Sequence, residues 1–86
     1  MIIILHRLFE KRYRLLRPAQ KRKFQERRDL FLADRFHPLL NNHPLVGKYE
    51  GYRSFNIGGD LRVIFKQLDD ETVVFVEIGP HDRLYG

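Results

Sequence analysis

Cysteine and tryptophan are absent from this chain, and methionine, serine and threonine occur once each. Without cysteine, neither a disulfide nor a thiolate zinc site can brace the fold. With Ser54 and Thr72 as the sole hydroxyls of their types, no Ser, Cys or Thr nucleophile constellation can be assembled. The four histidines show no ligand spacing such as HExxH, so no metal and no cofactor is expected. A Gly-rich phosphate loop is also missing, since Gly58-Gly59 reads as a hairpin turn. The apolar run Met1–Leu5 is far shorter than the ~20 residues of a spanning helix. Neither a signal peptide nor a membrane partner is expected, and the chain suits a reducing cytoplasm.

Acidic residues are scarce in the first part of the chain. Residues 1–36 hold eleven Lys/Arg against four Asp/Glu, whereas residues 37–86 hold five against seven. The excess of +5 is therefore concentrated at one end. Such a basic half is a candidate surface for a polyanion or for an acidic partner, and otherwise a solvated helix face. The 86 residues, 43% hydrophobic with seven Phe, predict a single domain over 1–86. A chain of this size buries only about 60–65% of its unfolded surface, so the core must be compact.

Ile2–Leu5 reads as a buried strand. From Arg7 to Leu16, Phe9, Tyr13 and Leu16 recur at helical spacing, with Leu8 and Leu15 widening the stripe. Pro18 ends this helix and suits the first turn of a second, running to about Asp34. Phe24, Phe31 and Leu32 line one side of it, with Ala33 and Phe36 near its end. Lys21, Arg22, Lys23, Arg27 and Arg28 form a basic band. So short a link predicts an antiparallel helical hairpin. Residues 37–46, with Pro38, Asn41, Asn42 and Pro44, read as a loop.

From Tyr49 the period becomes two, and 53–57, 61–67 and 72–78 read as three strands. A two-residue Gly-Gly turn would put Phe55 on the face of Arg62. A three-residue turn pairs Ile57 with Leu61, Phe55 with Val63 and Arg53 with Phe65, gathering the apolar side chains on one face, and is preferred. The opposite face then carries Tyr52, Ser54, Asn56, Arg62, Ile64 and Lys66, and is solvated or binds a ligand. The order β-α-α-β-β-β predicts an α+β fold, with the helical hairpin on one face of an antiparallel sheet and the other face open.

After the last strand, Gly79-Pro80 is followed by His81 and Tyr85. An imidazole can move protons near neutral pH, and an aromatic ring can stack on an unpaired base. In a small basic protein this pair suits work on RNA.

Four segments together resemble the RelE/ParE superfamily of toxin–antitoxin toxins, and within it the YafQ-like branch. They are His43-Pro44-Leu45-Val46-Gly47, Gly51-Tyr52-Arg53, Asp60-Leu61-Arg62-Val63-Ile64-Phe65-Lys66, and the stretch from Ile78 to the end. The resemblance implies a toxin held inactive by a cognate, acidic antitoxin. It implies a ribosome-dependent, metal-independent mRNA endonuclease, in which the 2′-OH attacks the adjacent phosphate to leave a 2′,3′-cyclic phosphate and a 5′-OH. It assigns His81 as general acid or phosphate-side donor, His43 and Asp60 as base or positioning groups, Tyr85 as a stacking or orienting ring, and Arg62 as the cation at the phosphate. Asn56, Lys66, Arg83, Lys21, Arg22, Arg27 and Arg28 are the expected RNA-binding residues.

Three positions depart from the branch. Asn56 stands where a second His is expected and can only hydrogen-bond. Leu61 replaces a Trp, removing a stacking surface. Glu77 replaces a basic residue and would repel a phosphate if it faced the site. These departures keep open a catalytically silent RNA- or partner-binding member of the fold. A ParE-like poison of DNA gyrase is the other alternative, against which His81 and Tyr85 count.

Overall fold

The computed structural model describes residues 1–85, with side chains as far as Leu84. The side chain of Tyr85 and all of Gly86 are outside it, so the role expected of the Tyr85 ring lies outside the described residues. The chain runs β1 (Ile2–Leu5), α1 (Arg7–Arg14), α2 (Pro18–Ala33), β2 (His43–Pro44), β3 (Arg53–Gly58), β4 (Leu61–Gln67), β5 (Thr72–Pro80) and α3 (His81–Tyr85). Single 3-10 turns lie at Pro38–Leu40 and Gly47–Tyr49. The strands form one sheet in the order β1-β5-β4-β3-β2.

Both long helices start on identifiable signals. His6 caps α1 by accepting the Leu8 N–H on Nδ1 at 3.0 Å. Pro18 occupies the first turn of α2, and Gln20 Oε1 reaches back to the Arg17 N–H at 2.9 Å. The helices meet through Phe9, Tyr13 and Phe24, whose rings lie 5.3–6.1 Å apart. Together they cover one sheet face, where Phe31 packs on Phe55, Phe65 and Phe75. Phe31 and these three strand residues are wholly buried, as are Val63 and Val73. Each such ring stabilises the fold by about 1.5–3 kcal/mol relative to exposure.

The sheet is mixed, not antiparallel, because β1 runs parallel to β5. As an edge strand, β1 is not buried: Ile2, Ile4 and Leu5 are exposed, and Ile3 alone packs on the core. Leu15, Leu32 and Phe36 are likewise exposed rather than part of the helix stripes. Leu15 and Phe36 lie past the helix ends, and Leu32, one position after the wholly buried Phe31, falls off the buried side of α2.

The β3–β4 register pairs Arg53 with Phe65 and Phe55 with Val63 as expected, but Gly58, not Ile57, lies opposite Leu61. A bulge between Asn56 and Gly58 absorbs one residue, and the turn is Gly59-Asp60 with Gly59 at φ +55°. The bulge satisfies both demands at once: a tight turn, and Ile57 and Leu61 buried with the other apolar side chains.

The second sheet face is not open. Ser54 and Ile64 on it are fully buried. One cross-strand row runs His43–Ser54–Ile64–Glu77, and the Tyr49 hydroxyl donates to Glu77 at 3.4 Å. The segment around Tyr49 therefore crosses Ile64. The end of the chain forms α3, whose Leu84 is buried and lies against Gly79 on this face.

Candidate functional site

A cleft of about 370 Å³ opens on this second face, lined by Asn41, His43, Leu45, Val46, Arg62 and His81. Three of the expected site residues, 18 or more positions apart in the chain, thus share one cavity. Each arrives by a different route. His43 stands on β2, a two-residue strand within the segment expected to be a loop. Pairing of His43 with Ser54 and Pro44 with Arg53 fixes its register. Leu40, wholly buried, anchors the segment from below. Asn42 ties it sideways, donating to the Arg35 carbonyl at 3.0 Å and accepting from Arg53 Nε at 2.8 Å. Arg53 thus serves the loop through a neutral partner, and its guanidinium lies 5.5 Å from the exposed Phe36 ring.

The His43 tautomer follows from the neighbour of its Nδ1. Its Nδ1 is 2.7 Å from the Asn41 carbonyl oxygen, which can only accept. In the neutral ring Nδ1 therefore carries the hydrogen, and Nε2 keeps a lone pair for a proton. Asn41 itself has φ 46°, the left-handed region that asparagine tolerates better than most residues.

Arg62 stands on β4, opposite Asn56 on one side and Gly79 on the other. Its Nη1 donates to the carbonyls of Gly59 at 2.9 Å and Leu61 at 3.2 Å. A guanidinium has five N–H donors, so these two bonds orient it and leave others for an anion. His81 opens α3, with its backbone N–H donating to the Asp60 carbonyl at 2.8 Å. Its Nδ1 lies 3.7 Å from Asp82 Oδ1, and just over half of its side chain is exposed. A substrate can therefore reach both imidazoles and one fixed cation.

Other expected residues fall elsewhere. The Asp60 carbonyl accepts the His81 N–H, and Asp60 lines a different cleft, shared with Ala19 and Lys23 of α2 and Gly58 of β3. Lys66 is exposed above Tyr52, at 5.5 Å, and does not line the cavity. Arg83 lines a separate groove. On α2, Lys21 lies 5.6 Å from the Tyr13 ring, Arg27 donates to the Leu39 carbonyl at 3.5 Å, and Arg28 pairs with Asp29 at 3.2 Å. Arg22 is exposed.

The three departures are accounted for. Asn56 stays beside Arg62, with its Oδ1 buried and unpaired among the described residues. Leu61 is core. Glu77 does not line the cleft; Tyr49 binds one of its carboxylate oxygens and Arg12 approaches the other at 3.7 Å. Asn41, Leu45 and Val46 were not expected to line a site, although Leu45 and Val46 belong to the motif that begins at His43. Among the described residues, no group of three or more His, Cys, Asp or Glu could hold a metal ion, and no helix is long and apolar enough to cross a membrane.

Residues 3–86 match the family model described as the bacterial toxin of type II toxin–antitoxin system, YafQ. No curated protein sequence matches the chain. Among solved structures, YafQ from E. coli strain BL21(DE3) superposes with a TM-score of 0.77 at 27% identity, covering 98% of this chain and 97% of that one. YafQ in the E. coli DinJ–YafQ complex gives 0.74 at 28% identity, with 98% and 97% covered. The archaeal RelE–RelB complex from Pyrococcus horikoshii OT3 gives 0.73 at 23% identity, with 95% and 96% covered, a likeness of fold.

Proposed function

This chain belongs to the YafQ family of bacterial type II toxin–antitoxin toxins, and we propose that it is a metal-independent endoribonuclease that cleaves mRNA on the ribosome. The observation that carries this reading is the meeting of His43, Arg62 and His81 in one cleft. In the proposed reaction His43 Nε2 takes the proton of a ribose 2′-OH. The freed oxygen attacks the adjacent phosphorus. Arg62 faces the charge that builds on the non-bridging oxygens. Protonated His81 delivers its proton to the departing 5′-oxygen, so the products are a 2′,3′-cyclic phosphate and a 5′-OH. Asp60 positions His81 through its carbonyl, Asn56 hydrogen-bonds beside Arg62, and Tyr85 stacks on a base.

The basic first part of the chain suits ribosomal and messenger RNA, and also an acidic antitoxin acting in the cytoplasm. Solved relatives include toxin–antitoxin complexes, DinJ with YafQ and RelE with RelB, and the same kind of partner is proposed here. The test is induction in cells followed by mapping of mRNA 5′ ends, with His81→Ala as control. New 5′-OH ends within translated codons, lost in the variant, are expected. Growth arrest without such ends, or full cleavage by His81→Ala, would overturn the mechanism.

A further inference from the structure

Behind α3, on the side away from His43, lies a second groove of about 290 Å³. Its lining includes Arg12, Arg17, Gln20, Gly79, Pro80 and Arg83, and no acidic residue. Three arginines line it from three elements: the last turn of α1, the link before α2, and α3. β1 pairs with β5 only as far as Phe75, so no strand covers the edge of β5 at Gly79. The Arg83 side chain folds back over that glycine: a Cβ built there would lie 3.9 Å from both Arg83 Cδ and Nη1.

Arg12 is partly committed, since its Nε approaches Glu77 Oε1 at 3.7 Å. Among the described residues, Arg17 and Arg83 make no ion pair, and both are exposed. Beside Arg12, which has Glu77 as its counter-charge, the two unpaired charges of Arg17 and Arg83 repel, and an anion would offset that repulsion. The groove lies just below the ~300–1,000 Å³ usual for small-ligand pockets, which suits a nucleotide-sized group rather than a folded protein segment.

Continuity identifies the anion. α3 carries His81 into the cleft and Arg83 into the groove, so one short element joins the two. Gly79 contributes to the floor of the groove and pairs across the sheet with Arg62 of the cleft. A strand of RNA held at Arg62 has a basic path around α3. We propose that this groove is a second phosphate subsite, in which Arg12, Arg17 and Arg83 hold a phosphodiester of the RNA flanking the cleaved bond. The assignment rests on the ribonuclease reading above.

The test uses a single-stranded RNA dodecamer blocked by 2′-O-methylation, titrated against the purified chain by fluorescence anisotropy over a range of salt. Wild type is compared with Arg17→Gln/Arg83→Gln, Arg17→Lys/Arg83→Lys and Arg62→Gln, each checked for folding by thermal melting. Arg12 is left intact because its loss would strand Glu77. Removal of one phosphate contact should lower the salt slope of log K by about 0.7. The Gln pair is expected to show that drop with roughly tenfold weaker binding at low salt, and the Lys pair to restore most of it. An unchanged slope in the Gln pair, with Arg62→Gln still weakened, overturns the subsite and leaves the ribonuclease reading intact. Failure of wild type to bind the RNA, together with absence of new 5′-OH ends in cells, overturns both. An unchanged RNA slope with lost capture of an acidic antitoxin peptide assigns the groove to the protein partner and overturns the subsite.

Discussion

His6 and His37 each receive a backbone N–H on Nδ1, from Leu8 at 3.0 Å and Leu39 at 3.1 Å, and so cap a turn. His43 meets a carbonyl instead, and its proton moves to the other side of the bond logic: Nδ1 donates and Nε2 is left to accept. The motif singles out His43 in the sequence, but its tautomer is not legible there, because that depends on the group near one ring nitrogen. The expected consequence is a separation of effects. His43→Ala should lower the single-turnover cleavage rate by about 10²–10⁴-fold, the usual contribution of a general base, without moving the melting temperature much. His6→Ala should cost about 1 kcal/mol in denaturant unfolding through loss of the α1 cap while leaving cleavage unchanged, and His6→Asn should recover part of that stability.

At the scale of elements, the segment between α2 and β3 supplies Asn41, His43, Leu45 and Val46 to the candidate cleft and was the least legible part. Prolines and asparagines marked residues 37–46 as a turn-rich stretch, and that much is correct. That His43 and Pro44 would pair with β3 followed from nothing local, since a two-residue strand has no periodicity to read. Its anchor is Leu40, fully buried, beside Leu39, which is well exposed. Leu40→Ala should therefore destabilise the protein by about 2–5 kcal/mol, and Leu39→Ala by no more than about 0.5 kcal/mol, measured by urea unfolding. Equal losses would mean that the segment is not held by its buried side chain. The β3–β4 hairpin was legible for the opposite reason: long alternating strands constrain their own register. There the error was confined to one bulged residue.

Across the whole molecule, the basic band of α2 lies on a helix whose Phe24 and Phe31 face the core, and three of its four candidate cations also touch their own fold. Any effect of the band on RNA would therefore be collective and long-range. Replacing Lys21, Arg22, Arg27 and Arg28 together by Gln should weaken ribosome binding and flatten its salt dependence. An unchanged slope would assign the band to the antitoxin or to solvent. What the sequence by itself determined is the set of amphipathic elements, their order, and the charge asymmetry, because periodicity and composition are properties of neighbouring residues. It also supplied His43, Arg62 and His81 as candidates, through four motifs that lie between His43 and the end of the sequence. The tertiary structure alone decided that β1 is an exposed parallel edge, that Glu77 turns to Tyr49 and Arg12 instead of the cleft, and that Asp60 accepts the His81 backbone N–H on its carbonyl and does not line the cavity. Each of these depends on contacts between residues far apart in the chain, and such contacts are fixed by packing of the whole core, not by local preference.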